Sequence, residues 1–236
     1  MHYDQAKLQW LEFDLLKGYP HVLHGVFQRH GGVSEGGFST LNASDSVGDH
    51  PDSVKVNRMR IQEILGVKHL VFPHQQHGIN IVRITKENVG RTHQADVLLT
   101  SESGIGIGVT HADCQGALFF DPKHQIIAVA HVGWRGNVQN VYRAVVERLK
   151  QEMKSKPEDL LVCISPSLGP DHAEFTNYRT EFPKEFWVFQ EQEKPHFFDL
   201  WALSTSQLTA CGIPEQNIEI ARTCTACSSE DYSLIV

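Results

Sequence analysis

Cys114 closes the run Gly108-Val109-Thr110-His111-Ala112-Asp113-Cys114, which reads as an apolar strand ending in polar residues. The next apolar run, Ile126 to His131, ends in a histidine, and upstream Pro73-His74-Gln75-Gln76-His77-Gly78 places another histidine beside a turn glycine. A thiolate and an imidazole presented at strand ends can act as a nucleophile and its base. Two imidazoles and one thiolate can instead hold zinc with its fourth position open, the arrangement of a catalytic rather than a structural site. A plain core role competes with both, because unpaired Cys is among the most buried residue types.

Other chemistry-bearing residues are weaker on their own. Arg135 follows His131 closely and can bring a guanidinium to the same rim, where it would bind phosphate or carboxylate through two parallel hydrogen bonds; an ordinary surface salt bridge is its simpler role. In an ideal strand Asp113 and His111 face away from Cys114, so Asp113 reads as a residue that orients a neighbour. His2, His21, His50, His69, His93, His124, His172 and His196 have no motif around them and read as surface or structural residues. Cys224-Thr225-Ala226-Cys227 has redox-motif spacing but follows a strand and lacks a thioredoxin-like context. A second metal pair there is a lesser alternative.

The elements that must position these groups follow from local pattern. Gly31 to Thr40 is rich in turn chemistry and reads as a loop. Pro51 opens a helix running towards Leu65, with Gly66 as its stop. Residues 79–85, Val97 to Leu99, Ile105 to Val109, Ala117 to Phe120, Ile126 to Ala130, Leu160 to Ile164 and Ile218 to Ala221 read as short strands. Asp121-Pro122-Lys123-His124 is the turn of a hairpin between the fourth and fifth of these. Val138, Val141, Val145 and Leu149 recur at helical spacing after Gly136, predicting one amphipathic helix, and Trp201 to Cys211 predicts another. Strands mixed with helices, without strict alternation, favour an α+β fold with mixed sheets.

Composition narrows the function classes. The 236 residues fit a single domain spanning 1–236, and 41% hydrophobic with 21% charged residues is ordinary for a globular chain. A formal net charge of −7 without basic clusters argues against nucleic acid or an anionic membrane as the main partner. No run approaches the roughly 18 apolar residues of a membrane span, and the N-terminus carries no secretory or lipidation signal. An odd number of cysteines, 5, without framework spacing fits reduced thiols and a cytoplasmic location.

In order along the chain, Arg29-His30-Gly31-Gly32-Val33-Ser34, Leu41-Asn42, Val47-Gly48-Asp49, Asn57-Arg58, His74-Gln75-Gln76-His77-Gly78, Ala95-Asp96, Ala112-Asp113-Cys114, His131-Val132-Gly133-Trp134-Arg135-Gly136 and Phe198-Asp199-Leu200 resemble successive signatures of the laccase-domain family. This is the YfiH/YlmD, or multicopper polyphenol oxidoreductase-like, group, now regarded as purine nucleoside phosphorylases. The resemblance implies a single α+β domain, an αββα sandwich of mixed sheets similar to the cytotoxic-necrotizing-factor-like cysteine hydrolase fold. It implies that His77, Cys114 and His131 are both the metal ligands and the catalytic trio, with zinc the usual metal and copper the older assignment. It also implies phosphorolysis of adenosine, inosine, guanosine and methylthioadenosine, with deamination of adenosine.

Phosphorolysis must set phosphate against C1′ of a cationic sugar and stabilise charge on the departing base. Arg29, Arg58 and Arg135 are the candidates for phosphate or substrate contacts, and Asn42 for a sugar or base contact. A copper polyphenol oxidase needs several metal centres, more than one His₂Cys set provides. Amide or peptide hydrolysis by Cys114 with His131 as base, and nucleoside binding without turnover, are the remaining alternatives. The chain departs from the family pattern at His111, where threonine is usual, and at Gln115-Gly116, where Leu or Val precedes Pro. Family chains also continue into a Phe-Ser-Tyr-Arg-Arg segment where this one ends at Asp231 to Val236. If those arginines bind substrate, activity is expected to be weakened, and an exposed sheet edge would favour a homodimer over a monomer.

Overall fold

A computed structural model describes residues 8–232. The predictions made for the first residues and for the final sheet edge fall outside that range in whole or in part. The chain opens with β1 (Trp10–Leu11) and β2 (Val26–Phe27), which pair antiparallel. Helix α1 (Pro51–Ile64) follows, started by Pro51 and by the His50 ring, whose Nδ1 accepts from Asp52 N at 3.3 Å, and stopped at Gly66 with φ 58°. Next come β3 (His69–Val71), β4 (Ile81–Arg83), β5 (Val97–Thr100), β6 (Ile105–Ile107), β7 (Gln115–Asp121) and β8 (Ile126–Val132). The second half holds α2 (Trp134–Val138), α3 (Val141–Met153), β9 (Leu161–Ile164), α4 (Tyr178–Glu181), β10 (Gln190–Glu191), β11 (Lys194–Phe198), α5 (Leu200–Ala210) and β12 (Ile218–Ile220).

The spine is a six-stranded mixed sheet in the order β12-β9-β7-β8-β5-β4, parallel at both edges and antiparallel in the middle. Its central strands are nearly continuous apolar runs because both faces are covered. Val97, Leu99, Ala117, Phe119, Ala128, Ala130, Val162 and Ile164 point to one face, where they pack with Val141, Tyr142, Val145 and Leu149 of α3 and Leu208 of α5. The intervening residues Leu98 and Val129 point the other way and pack with Val71 of β3 and Ile105 of β6, a parallel pair with α1 beyond it. The molecule is therefore α+β with mixed sheets, helices outside and sheets within. Among the described residues no helix is long and apolar enough to cross a membrane.

Three expectations are corrected by the structure. The strand predicted over 105–109 ends at Ile107, and residues 108–114 are irregular, so Cys114 precedes β7 instead of ending a strand. Gln75 explains why: its side chain takes Thr110 N and Thr110 Oγ1 as donors to Oε1 and gives Nε2 to Thr110 O, replacing a strand neighbour. The single helix predicted after Gly136 is two helices, because Asn140 turns left-handed at φ 55° and caps α3 by accepting from Arg143 N. Strand β4 is also shorter than the 79–85 run.

The β7–β8 hairpin is anchored by Asp121, whose Oδ1 accepts from Lys123 N at 2.8 Å and His124 N at 3.0 Å. Its Oδ2 faces His124 Nδ1 at 2.8 Å. Burial alone would raise this carboxyl, but the Ser155 hydroxyl, His124 and the turn N–H groups outweigh burial and hold it below its usual 3.8. Its stabilisation is complete above that usual value and drains away as pH falls through the lower folded one. Asp121→Ala should cost about 1–3 kcal/mol at neutral pH, and the deficit relative to wild type should shrink in acid, as read from urea melts across pH.

Candidate active site

Strand β8 delivers His131 to the face opposite α3, alternating with Ala130 and Val132, which face the helices. Its ring meets that of His77 edge to face, with centroids 4.7 Å apart. The donor atoms of His77, Cys114 and His131 all lie within 4.8 Å of one another, so one ion can reach all three. The trio runs from the surface inward: His77 is exposed, Cys114 half-buried and His131 buried.

Asp96, fully buried at the mouth of β5, organises this group. One carboxylate oxygen accepts from His77 N at 2.8 Å and the other from Gly78 N at 2.8 Å, and Gln76 N reaches both at 3.2 Å. The same Oδ1 lies 3.1 Å from His131 Nδ1. The carboxylate thus folds the 76–78 turn, holds His77 at φ 57° and assigns the Nδ1 proton of His131, leaving Nε2 for Cys114 or a metal. Burial favours neutral His131, yet its hydrogen bonds and charge interactions with Asp96 and Cys114 prevail and lift it to about 9. Burial and the His131 charge together push His77 below its ordinary 6.5.

The donor set fits a metal on its chemistry: two imidazoles and one thiolate, with the buried imidazole oriented by a carboxylate. Gly133 leaves the space for it. A Cβ at this residue would stand 3.1 Å from Cys114 Sγ and 3.3 Å from His77 Cδ2. Gly133 has φ −80°, which any residue adopts, so Gly133→Ala should fold normally while weakening metal binding about 10-fold, a loss of the size seen for disturbed metal surroundings. Competition titration with a chromophoric chelator measures it.

Residues singled out as substrate contacts occupy three places. Arg135 is exposed on α2, lies over the Trp134 ring at 4.8 Å and is close enough for its charge to act on His77. Arg29 and Asn42 line a cavity of about 460 Å³, walled by Phe38, Phe72, Val109 and His111 among others. Arg29 also donates to Ser39 O and Ser229 O, and Asn42 donates to Ser44 O and Asp49 Oδ2. Arg58 donates to Ala43 O, pairs with Asp45 at 3.3 Å and stacks on Phe72. The trio itself does not line the cavity; His111 connects the two, as a cavity wall residue that also feels the His131 charge. Burial and that charge lower His111 to about 4, so it is neutral at pH 7.

Sequence patterns assigned no role to two supports of the site. Asp96 stands in the Ala95-Asp96 signature, directly before the wholly buried strand Val97–Thr100, and nothing local marks it as the partner of His131. Gln115, beside Cys114, is buried and accepts from Tyr142 Oη and Ser204 Oγ at 2.9 and 2.7 Å while donating to Leu200 O. That network pins the start of β7 to α3 and α5, so the departure at Gln115 lies under the helices and away from the cavity.

Known proteins resemble this chain in sequence and in fold. A purine nucleoside phosphorylase of Bacteroides thetaiotaomicron is 30% identical over 94% of this chain and 88% of its own. Purine nucleoside phosphorylase YlmD of Geobacillus stearothermophilus is 30% identical over 86% of this chain and 80% of its own. The crystal structure of that YlmD superposes with a TM-score of 0.84, covering 98% of this chain and 92% of YlmD at 28% identity. Bacillus licheniformis YfiH gives 0.81, covering 88% and 84% at 25% identity. Residues 23–233 match the family model described as multi-copper polyphenol oxidoreductase laccase, and the chain belongs to that family.

Proposed function

We propose that the protein is a zinc-dependent purine nucleoside phosphorylase, acting in the cytoplasm on adenosine, inosine, guanosine and methylthioadenosine, with adenosine deaminase activity at the same site. The observation that carries this reading is the open trio His77, Cys114 and His131, oriented by Asp96 beneath Gly133, in a chain whose relatives bear the phosphorylase name. Copper is the competing metal, and a monomer or homodimer the expected assembly.

In phosphorolysis a phosphate oxygen forms a bond to C1′ as the C1′–N9 bond breaks, giving ribose 1-phosphate and the free purine. Zinc, when bound by the trio, supplies a Lewis acid with an open position for an oxygen ligand. Arg135, exposed beside His77, offers the guanidinium that holds phosphate in line. Arg29, Asn42 and Arg58 are the further candidates for sugar, base or phosphate. Neutral His111 can accept or donate a hydrogen bond to a purine edge without carrying charge into an apolar wall. Asp96 keeps His131 in one tautomer throughout.

The test pairs metal content with phosphate-dependent release of adenine and hypoxanthine, for wild type and for His77→Ala, Cys114→Ala and His131→Ala. About one zinc per chain and turnover, lost together in each variant, support the proposal. Zinc bound by the trio without turnover would point to a binding protein, and a reactive Cys114 in metal-free protein to an amide hydrolase.

A further inference from the structure

Outside the active site, His172, Cys224 and Cys227 bring their donor atoms within 4.8 Å of one another. Nothing in the phosphorylase reading uses them. We infer that they form a second metal site, specific for a thiophilic cation of the zinc type.

The distances suit one ion at the centre. A tetrahedral zinc with Zn–S of about 2.3 Å and Zn–N of about 2.0 Å sets its sulfur and nitrogen ligands about 3.5 Å apart. His172 Nδ1 lies 3.6 Å from Cys224 Sγ and 3.7 Å from Cys227 Sγ. One imidazole nitrogen therefore faces two sulfurs at nearly the separations a shared metal requires. The preference for a soft or borderline ion follows from the donors, since two thiolates and an imidazole disfavour calcium and magnesium.

The ligands come from two turns that are built onto each other. Ser167 N donates to Thr223 O and Thr225 N donates to Ser167 O, joining the loop after β9 to the segment after β12. His172 N donates to Gly169 O, folding the ring back, and Gly169 N donates to Cys224 Sγ at 3.3 Å. Gly169 allows this approach because a Cβ there would sit 3.1 Å from Cys224 Cβ and 3.4 Å from its Sγ. Ser228 N donates to Cys224 O, closing the turn that sets both cysteines on one side. An N–H aimed at a sulfur favours its thiolate form, the form that ligates.

Binding displaces the thiol protons to solvent and leaves one position open or filled by water. It also staples the segment that ends the described chain. Beyond Cys227, Asp231 O accepts from Arg29 N, Ser229 O accepts from the Arg29 guanidinium, and Tyr232 lines the cavity. The second ion thus fixes a wall of the cavity from outside, without touching the trio.

The experiment uses the reduced full chain with cobalt(II) as probe, in a Cys114→Ala background that removes the thiolate of the first site. About one cobalt per chain with a thiolate-to-cobalt charge-transfer band, displaced by zinc, is the expected result for an open or four-coordinate thiolate site. Adding Cys224→Ser and Cys227→Ser should abolish the band, and His172→Asn should weaken binding at least about 10-fold. Because Cys227 is exposed, Cys227→Ser alone, checked by its circular dichroism, guards against misfolding. Equal cobalt uptake with and without the two cysteines overturns the inference. So does a Cys224–Cys227 disulfide that re-forms after reduction with zinc in excess. Since the first site is blanked throughout, neither outcome depends on whether the protein is a phosphorylase.

Discussion

Cys114→Ala is expected to remove the trio's metal and to reduce phosphorolysis by more than about 100-fold while leaving the melting temperature of metal-free protein near that of wild type. The magnitude follows from comparison of shells: partners that only orient a ligand are worth about 10–100-fold in affinity or activity, so a group that ligates directly is worth more. The fold should survive because Cys114 is half-buried in an irregular segment and belongs to none of the hydrophobic clusters, unlike Cys163, which is core. The substitution also removes a side chain that helps raise His131 to about 9, so the imidazolium should titrate lower in the variant. Zinc content by mass spectrometry, turnover with inosine and phosphate, and the His131 proton resonance in metal-free protein measure the three effects separately. Undiminished turnover in the variant would remove Cys114 from the active site.

Asp96→Asn should have the second largest effect, and unlike Cys114→Ala it should reach stability as well as metal binding. The carboxylate is an acceptor on both oxygens, serving three backbone N–H groups and the His131 ring. Burial opposes its charge, but His131, Gly78 and Gln76 outweigh burial and hold the carboxyl below its ordinary value. An asparagine of the same shape must turn an NH₂ towards one of these donors. Each buried group left without a partner costs about 1–3 kcal/mol, and releasing the Nδ1 proton of His131 should weaken metal binding about 10–100-fold. The expected record is a lower melting temperature with and without metal, and a chelator competition curve displaced by one to two decades, about 1.4–2.7 kcal/mol. A normal melt combined with normal affinity would mean that the turn at His77 holds its shape without Asp96.

Relatives named for phosphorolysis and a family model named for copper oxidation meet on this one chain. The structure bears on the difference through donors. Among the described residues, two groups can hold a metal, His77–Cys114–His131 and His172–Cys224–Cys227, each of one ion's size. Multicopper oxidation of a polyphenol calls for several adjoining copper centres, whereas bond exchange at a sugar carbon requires only orientation and charge.

Sequence by itself determined the frame. Val97 to Leu99, Ala117 to Phe120, Ile126 to Ala130 and Leu160 to Ile164 read as buried strands because apolar runs that short between turn residues are too brief for helices, and a strand lies over each of them. It also marked His77, Cys114 and His131, since imidazole beside turn glycine and thiol after Ala-Asp are local features. Tertiary structure decided how these meet. Cys114 comes before its strand because Gln75, remote in sequence, captures Thr110, and no local pattern records the reach of a glutamine side chain. Asp96 became the organiser only when β5 paired with β8 and brought its carboxylate to His131. His172, unremarkable between Asp171 and Ala173, gained two cysteine neighbours because β12 lies parallel to β9 and carries the chain after it back to that loop. Periodicity reports which face of an element is buried; it does not report which loops the strand order brings together, and both groups that could hold a metal draw residues from converging loops.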